Sequence, residues 1–171
     1  SLVGVDGDGT RGRVAFDGSR ITYDPHGAFA GLAEGETATD HFRYRVGDAN
    51  GGEASATVSL TVLGINDPPQ AHSDQFAVGA DSHDSVFDVL ANDDDADSDD
   101  DASTLRIIDA RSASGAQVSF DGFAGGKLYY DASSLSAYKA LGAGETATDT
   151  ITYTIADRWF GTPGHAADTT T

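Results

Sequence analysis

Ten consecutive residues, Asn92-Asp93-Asp94-Asp95-Ala96-Asp97-Ser98-Asp99-Asp100-Asp101, carry seven carboxylates. Charge packed this densely repels itself unless cations neutralise it. In an extended segment Asp93, Asp95, Asp97, Asp99 and Asp101 would fall on one side. Calcium takes about six to eight hard oxygens, at roughly 2.3 to 2.6 Å, which such carboxylates and nearby carbonyls supply. The alternative is a solvated acidic loop with diffuse counterions.

Three acids earlier in the chain are further candidates. Asp48 closes a run ending in Tyr44 and Val46, and Glu36 and Asp40 belong to the segment Gly35-Glu36-Thr37-Ala38-Thr39-Asp40, so each is placed to complete a cage. Against this, Asp48-Ala49-Asn50-Gly51 reads equally as a hairpin loop and Asp40 as the start of a strand. Asp6-Gly7-Asp8-Gly9-Thr10 opens like an EF-hand loop, but Arg11 stands where that loop requires Gly and Asp17 where it requires a bidentate Glu. A hairpin turn is the better reading.

Catalytic chemistry is not legible. There is no nucleophile elbow, zinc-protease helix, phosphate loop or dinucleotide fingerprint. His26, His41, His72, His83 and His165 are scattered without zinc spacing. A pair of carboxylates for glycoside hydrolysis carries no weight among 28 acids. With no Cys, disulfides, thiolate metal sites and a thiol nucleophile are all excluded.

Composition narrows the partners. Ten Lys and Arg against 28 Asp and Glu leave a net charge of -18, and 24 of the 28 are Asp. Phosphate-rich partners are repelled, which argues against nucleic acid and anionic membrane. Asp is a weak helix former suited to turns and to oxygen ligation, so its excess over Glu points to cation-binding loops. No apolar run reaches the length of a membrane span, and no signal-peptide pattern opens the chain, which begins at Ser1 and reads as a processed or excised piece.

The elements that must position these acids are strands. Ala54, Ala56, Val58, Leu60 and Val62 alternate with Ser55, Thr57, Ser59 and Thr61, the pattern of a strand with one buried and one wet face. Phe42, Tyr44 and Val46 form a second run and Ile151, Tyr153 and Ile155 a third; shorter ones hold Val118 with Phe120, Leu128 with Tyr130, and Phe87 with Val89. Only residues 135–141 suggest a helical turn or two.

The chain is an internal repeat. The hexapeptide 35–40 recurs identically at 144–149, each copy preceded by a Tyr-Asp pair (Tyr23-Asp24, Tyr130-Asp131) and followed by the same alternation, Phe42, Tyr44, Val46, Asp48 against Ile151, Tyr153, Ile155, Asp157. Arg158-Trp159-Phe160 replaces the Ala49-Asn50-Gly51 of the first copy. Between the copies, Pro68 and Pro69 deny a ladder its donors and end a strand. The expected division is therefore residues 1–65, a linker 66–69 and residues 70–171. Leu2 to Asp6 matches Leu105 to Asp109, so the first copy lacks an equivalent of 70–104, while the second stops at Thr169-Thr170-Thr171, where the counterpart of the strand 54–62 should begin. Each domain is thus short of a terminal strand or two. Either the chain is a piece of a longer array, or a neighbouring chain completes the open edges.

Residues 21–71 resemble the bacterial cadherin-like repeats of large RTX-type and VCBS-type adhesins and are similar to the domain of the rhizobial adhering proteins, and residues 87–107 resemble the opening segment of the same repeat. The resemblance implies an all-β chain of two tandem immunoglobulin-like or cadherin-like β-sandwiches. It implies an extracellular or cell-surface location reached by type I secretion, calcium as cofactor and, in the adhering proteins, calcium-dependent binding of acidic exopolysaccharide. It also places Asn66 and Asp67 at a calcium-binding joint between repeats, although a turn before proline explains the same pair. Within the acid run it favours Asp93, Asp95 and Asp97, with Asn92 beside them.

Three non-enzymatic roles follow. The chain is a calcium-dependent adhesion module for exopolysaccharide or another surface glycan, with Tyr129, Tyr130, Tyr138 and Trp159 available for stacking. Alternatively it is a calcium-stiffened spacer between neighbouring repeats, or a filament subunit assembled by strand complementation. Matrix adhesion is the favoured expectation.

Overall fold

A computed structural model describes residues 1–162 and the backbone of 168–170. His165 and Thr171, both used in the sequence reading, lie outside the described residues. The chain divides into two compact units, Ser1–Asn66 and Asp67–Thr171.

Unit 1 contains β1 (Leu2–Asp6), β2 (Arg13–Phe16), β3 (Ile21–Asp24), β4 (Thr37–Gly47) and β5 (Glu53–Leu63). One sheet runs β1-β4-β5 and a second pairs β2 with β3, all antiparallel. Long Thr- and Val-rich alternations make β4 and β5, which pair without interruption from Thr37 opposite Leu63 to Gly47 opposite Glu53. Their hairpin is closed by Asp48, whose Oδ1 accepts the N–H groups of Asn50 and Gly52, both at 2.8 Å. The alternation along β5 is present, but its apolar face is not deeply buried. Val58, Leu60 and Val62 are half-buried and Ala54 and Ala56 exposed, because the buried apolar side chains of this unit are only Phe29, Ala33 and Phe42.

Unit 2 contains β6 (Ser85–Phe87), β7 (Arg106–Ser112), β8 (Gln117–Phe120), β9 (Leu128–Asp131), a 3-10 turn (Ala132–Ser134), α1 (Ser136–Lys139), β10 (Ile151–Ala156) and β11 (Asp168–Thr170). Its sheets run β7-β10-β11 and β6-β9-β8. Between them lies a buried cluster that includes Val89, Leu90, Leu105, Ile107, Leu128, Tyr130, Tyr153 and Ile155.

The repeat visible in the sequence is a repeat of topology. β1-β4-β5 corresponds to β7-β10-β11, and β2-β3 to β8-β9, while β6 has no counterpart among the described residues of unit 1. Two details differ from the sequence match. Val5 lies opposite Tyr44 and Ala110 opposite Tyr153, so the true equivalence of β1 and β7 is two residues beyond the one suggested by Leu2 and Leu105. The missing last strand of the second copy is represented by β11, which takes the place on β10 that β5 takes on β4, pairing at Tyr153, Thr154 and Ile155.

The shared hexapeptide has a local physical cause. Gly35 and Gly144 adopt φ of 85° and 86°, a left-handed turn that favours glycine. The following Glu folds back in both copies: Glu36 Oε2 accepts Ala33 N–H at 3.1 Å, and Glu145 Oε2 accepts Gly142 N–H at 2.7 Å. The closing Asp anchors the neighbouring loop and the Tyr of the Tyr-Asp pair, with Tyr23 O–H donating to Asp40 at 2.8 Å and Tyr130 O–H to Asp149 at 3.0 Å.

A candidate metal centre in the acidic loop

The acid run is a chain of tight turns rather than an extended segment. Asp93 N–H reaches Leu90 O, Asp97 N–H reaches Asp95 Oδ1 at 2.9 Å, and Asp100 N–H reaches Asp97 O at 3.2 Å. Asp101 ends the series as a turn cap, its Oδ1 accepting Ser103 N–H at 2.8 Å and Ser103 O–H at 2.6 Å. Asp and Ser side chains compete with regular backbone pairing in this way, so the expectation that alternate acids share a side gives way. Asp97 and Asp100 are turned inward at 2% and 8% exposure, as is Asp93 at 5%, while Asp99 and Asp101 face solvent.

Within the segment read as a linker, Asp67 is tied to this loop, whereas Asn66 falls in unit 1. Asp67 N–H donates to Asp97 Oδ2 at 3.0 Å, and Gln70 and Asp94 exchange backbone bonds of 2.7 and 3.1 Å. Asp157, fully buried at the end of β10, lies close enough to Asp95 for its charge to act there. It also accepts Trp159 N–H at 2.7 Å.

Several buried oxygens in the loop have no hydrogen-bond donor: Asp93 Oδ2, Asp95 Oδ2, Asp97 Oδ1 and both carboxylate oxygens of Asp100, although the Arg158 guanidinium forms an ion pair with Asp100 Oδ2 at 3.6 Å. Asp97, Asp99 and Asp100 each offer an oxygen within 4.8 Å of the others. Burial, reinforced by the charges of Asp97, Asp100 and Asp157, pushes the Asp95 carboxyl up to about 6 despite the bond from Asp97 N–H. Burial first, then the charges of Asp67, Asp99 and Asp100, raises Asp97 also. Asp93 rises to about 6 through burial and the charge of Asp74, against the bond from His72 N–H. Inward carboxylates without donors are costly unless a cation takes the place of the missing protons. The donors are all hard oxygens, the set that suits calcium rather than zinc or copper.

The structure therefore brings Asp67, Asp95 and Asp97 together and adds Asp99, Asp100 and Asp157, which the sequence reading did not choose as ligands. Asp157 carried a signal, since it is the repeat counterpart of Asp48, but Asp48 closes a hairpin while Asp157 is buried beside an acidic loop that unit 1 lacks. Asp93 turns toward His72 and Asp74, and Asn92 is exposed, its Nδ2 donating to Ser73 O at 3.3 Å. Asn66 ends unit 1 and its N–H donates to Glu34 Oε2 at 3.2 Å. Glu36, Asp40 and Asp48 are not neighbours in one cage. Each serves its own turn, and Asp40 accepts the N–H groups of Arg11, Gly12 and His41 together with Tyr23 O–H. Asp6 likewise closes a turn, accepting Asp8 N–H at 3.0 Å.

One cluster that the sequence did not suggest needs a chemical test. Ser133, His83 and Asp131 meet, with Ser133 Oγ 2.7 Å from His83 Nδ1 and 2.6 Å from Asp131 Oδ1. Asp131 also approaches the same His83 nitrogen, at 3.5 Å. A relay requires serine and carboxylate on opposite ring nitrogens, so this arrangement pins a loop and does not activate the hydroxyl. Among the stacking residues, Tyr130 is buried in the core and cannot offer its face to a ligand.

The tandem sandwiches of antiparallel sheets agree with what comparison with protein families finds. The family model for the bacterial Ig domain matches residues 1–61 and again 66–165. The chain therefore belongs to the bacterial Ig domain family, as two tandem β-sandwich copies. Such domains are in general structural and adhesive repeats of surface proteins, not enzymes. Comparison with curated proteins and with solved structures gave no match. No helix among the described residues is long and apolar enough to cross a membrane.

Proposed function

We propose that the chain is a calcium-binding pair of Ig-type repeats from a secreted bacterial adhesin, with the ion held in the acidic loop of unit 2. The observation that carries this reading is Asp97. It is 2% exposed, its Oδ2 is engaged by Asp67 N–H, and its Oδ1 has no donor while the oxygens of Asp99 and Asp100 stand within 4.8 Å. Asp95, Asp100, Asp157 and Asp67 complete an oxygen-rich surround. The role favoured for such a repeat is adhesion within a biofilm matrix, with exopolysaccharide or another surface glycan as the partner. Delivery to the cell surface by type I secretion belongs to the same reading.

The spacer alternative has support of its own. Asp67, the first residue of unit 2, is tied directly to Asp97, so an ion at Asp97 would also fix the point where the chain enters the unit. Calorimetric titration of EGTA-treated protein with calcium tests the metal reading. The wild type is expected to bind at least one ion, and Asp97→Asn, which removes the ligand charge at the central residue, to bind at least about tenfold more weakly, about 1.4 kcal/mol. Equal heats for the two proteins would remove Asp97 from the site, and no heat at millimolar calcium would end the proposal. Glycan arrays probed with and without calcium then separate adhesion from spacing.

A further inference from the structure

The residue after Asp157 is where the two repeats part company. The first copy continues from Asp48 into a hairpin of Ala49-Asn50-Gly51, whereas the second continues into Arg158-Trp159-Phe160. Arg158 turns back onto the acidic loop. Its Nη2 forms an ion pair with Asp99 Oδ2 and donates to Asp99 O at 3.0 Å, and its Nε lies 3.6 Å from Asp100 Oδ2. The Asp100 side chain is fully buried, while that of Arg158 is about half exposed, at 47%. The guanidinium thus reaches two of the three acids whose oxygens cluster, and Asp97 Oδ1 keeps no donor.

A guanidinium and a calcium ion satisfy carboxylates in incompatible ways. The first donates hydrogen bonds from a planar fork carrying one charge, the second needs the same oxygens in direct coordination. Both cannot hold the carboxylate oxygens of Asp99 and of buried Asp100 at once, and like charge separates them further. We propose that Arg158 is a built-in competitor of the metal, which neutralises Asp99 and Asp100 while the loop is empty and must yield them when calcium enters. The inference rests on the calcium reading above. Its consequence is a trade: Arg158 supports the metal-free fold and weakens the affinity, so the loop loads only at higher calcium.

The test compares wild type, Arg158→Gln, Arg158→Lys and Lys127→Gln by calcium calorimetry and by thermal melts in EGTA. Lys127 pairs with Asp88 at 2.7 Å, outside the loop, so its variant removes the same unit of charge from the same unit of structure. Arg158→Gln is expected to bind calcium about three- to tenfold more tightly than both wild type and Lys127→Gln, the range set by one half-exposed ion pair. It is also expected to melt lower in EGTA, so that the interval between empty and loaded midpoints widens. Arg158→Lys, which keeps the charge and loses the fork, falls between. Should Arg158→Gln not fold without calcium, the Lys variant against wild type carries the same comparison. Unchanged or weaker binding in the Arg158 variants, with calcium still bound by wild type, overturns the competitor role and leaves the metal site standing. Failure of wild type to bind at all removes the calcium reading itself, and the competitor with it.

Discussion

Asp40 and Asp149 close the two copies of the hexapeptide and are used alike. Asp40 accepts N–H groups from Arg11, Gly12 and His41, and Gly12 is held so close that a Cβ there would stand 2.7 Å from both Tyr23 Oη and Asp24 O. Asp149 accepts Ser112 O–H at 2.7 Å, Ser114 N–H at 3.0 Å and Tyr130 O–H at 3.0 Å. Burial opposes ionisation at both, but the donors outweigh it and hold both carboxyls below the ordinary range. A depressed folded-state value stabilises the protein above the unfolded value of about 3.9 and loses that contribution as pH falls through the folded one. Melting midpoints of metal-free protein should therefore fall as pH drops below about 4. Asp40→Asn with Asp149→Asn should lower the midpoint at pH 7 and make the acid limb shallower. An unchanged acid slope in the double variant would show that these carboxylates are not the linked groups. Both residues were legible as special from their repetition, yet only the donors around them show that the repetition is structural: the sequence offered Asp40 as a ligand because a carboxylate bonded to backbone amides and one bonded to a metal look the same in one dimension.

At the scale of elements, alternation identified most of the strands, and the topology of the second copy follows the first. Burial was less legible. The run 54–62 has the cleanest alternation in the chain, but β5 covers only half-buried Val58, Leu60 and Val62, whereas the shorter β10 places Ile155 at zero exposure among Leu105, Ile107 and Tyr153. What decides this is the layer facing each strand, which periodicity does not encode. Ile155→Ala should cost about 2 to 5 kcal/mol, the range for truncating a buried aliphatic, while Leu60→Ala should cost clearly less. Denaturant unfolding followed by far-ultraviolet circular dichroism measures both, and comparable losses would contradict the burial contrast. The acidic loop was legible as a ligand-rich segment and illegible in detail, because its Asp-Ser turns replace the extended geometry that composition alone suggests. Asp157 and Arg158 enter the site from β10, about sixty residues away in sequence. Only the pairing of β10 with β7 brings them to the loop that precedes β7.

For the whole molecule, a net charge of -18 on 171 residues means that the metal-free chain folds against its own field. The acid excess is not spread evenly, since seven of its carboxylates fall within residues 92–101. On the calcium proposal, this charge at the entrance of unit 2 is where divalent cations would act. Calcium bound only by the native state raises the melting midpoint by mass action, and sodium chloride of equal ionic strength, which merely screens, should raise it less. The most direct measurement is amide hydrogen exchange of the intact chain in EGTA and in millimolar calcium. The account predicts that added protection centres on residues 93–101 and on Asp157, Arg158 and Asp67, with the hairpin around Asp48 unchanged. Equal exchange of the acidic loop in both conditions, or protection gained at Asp48 and not at Asp97, would contradict it.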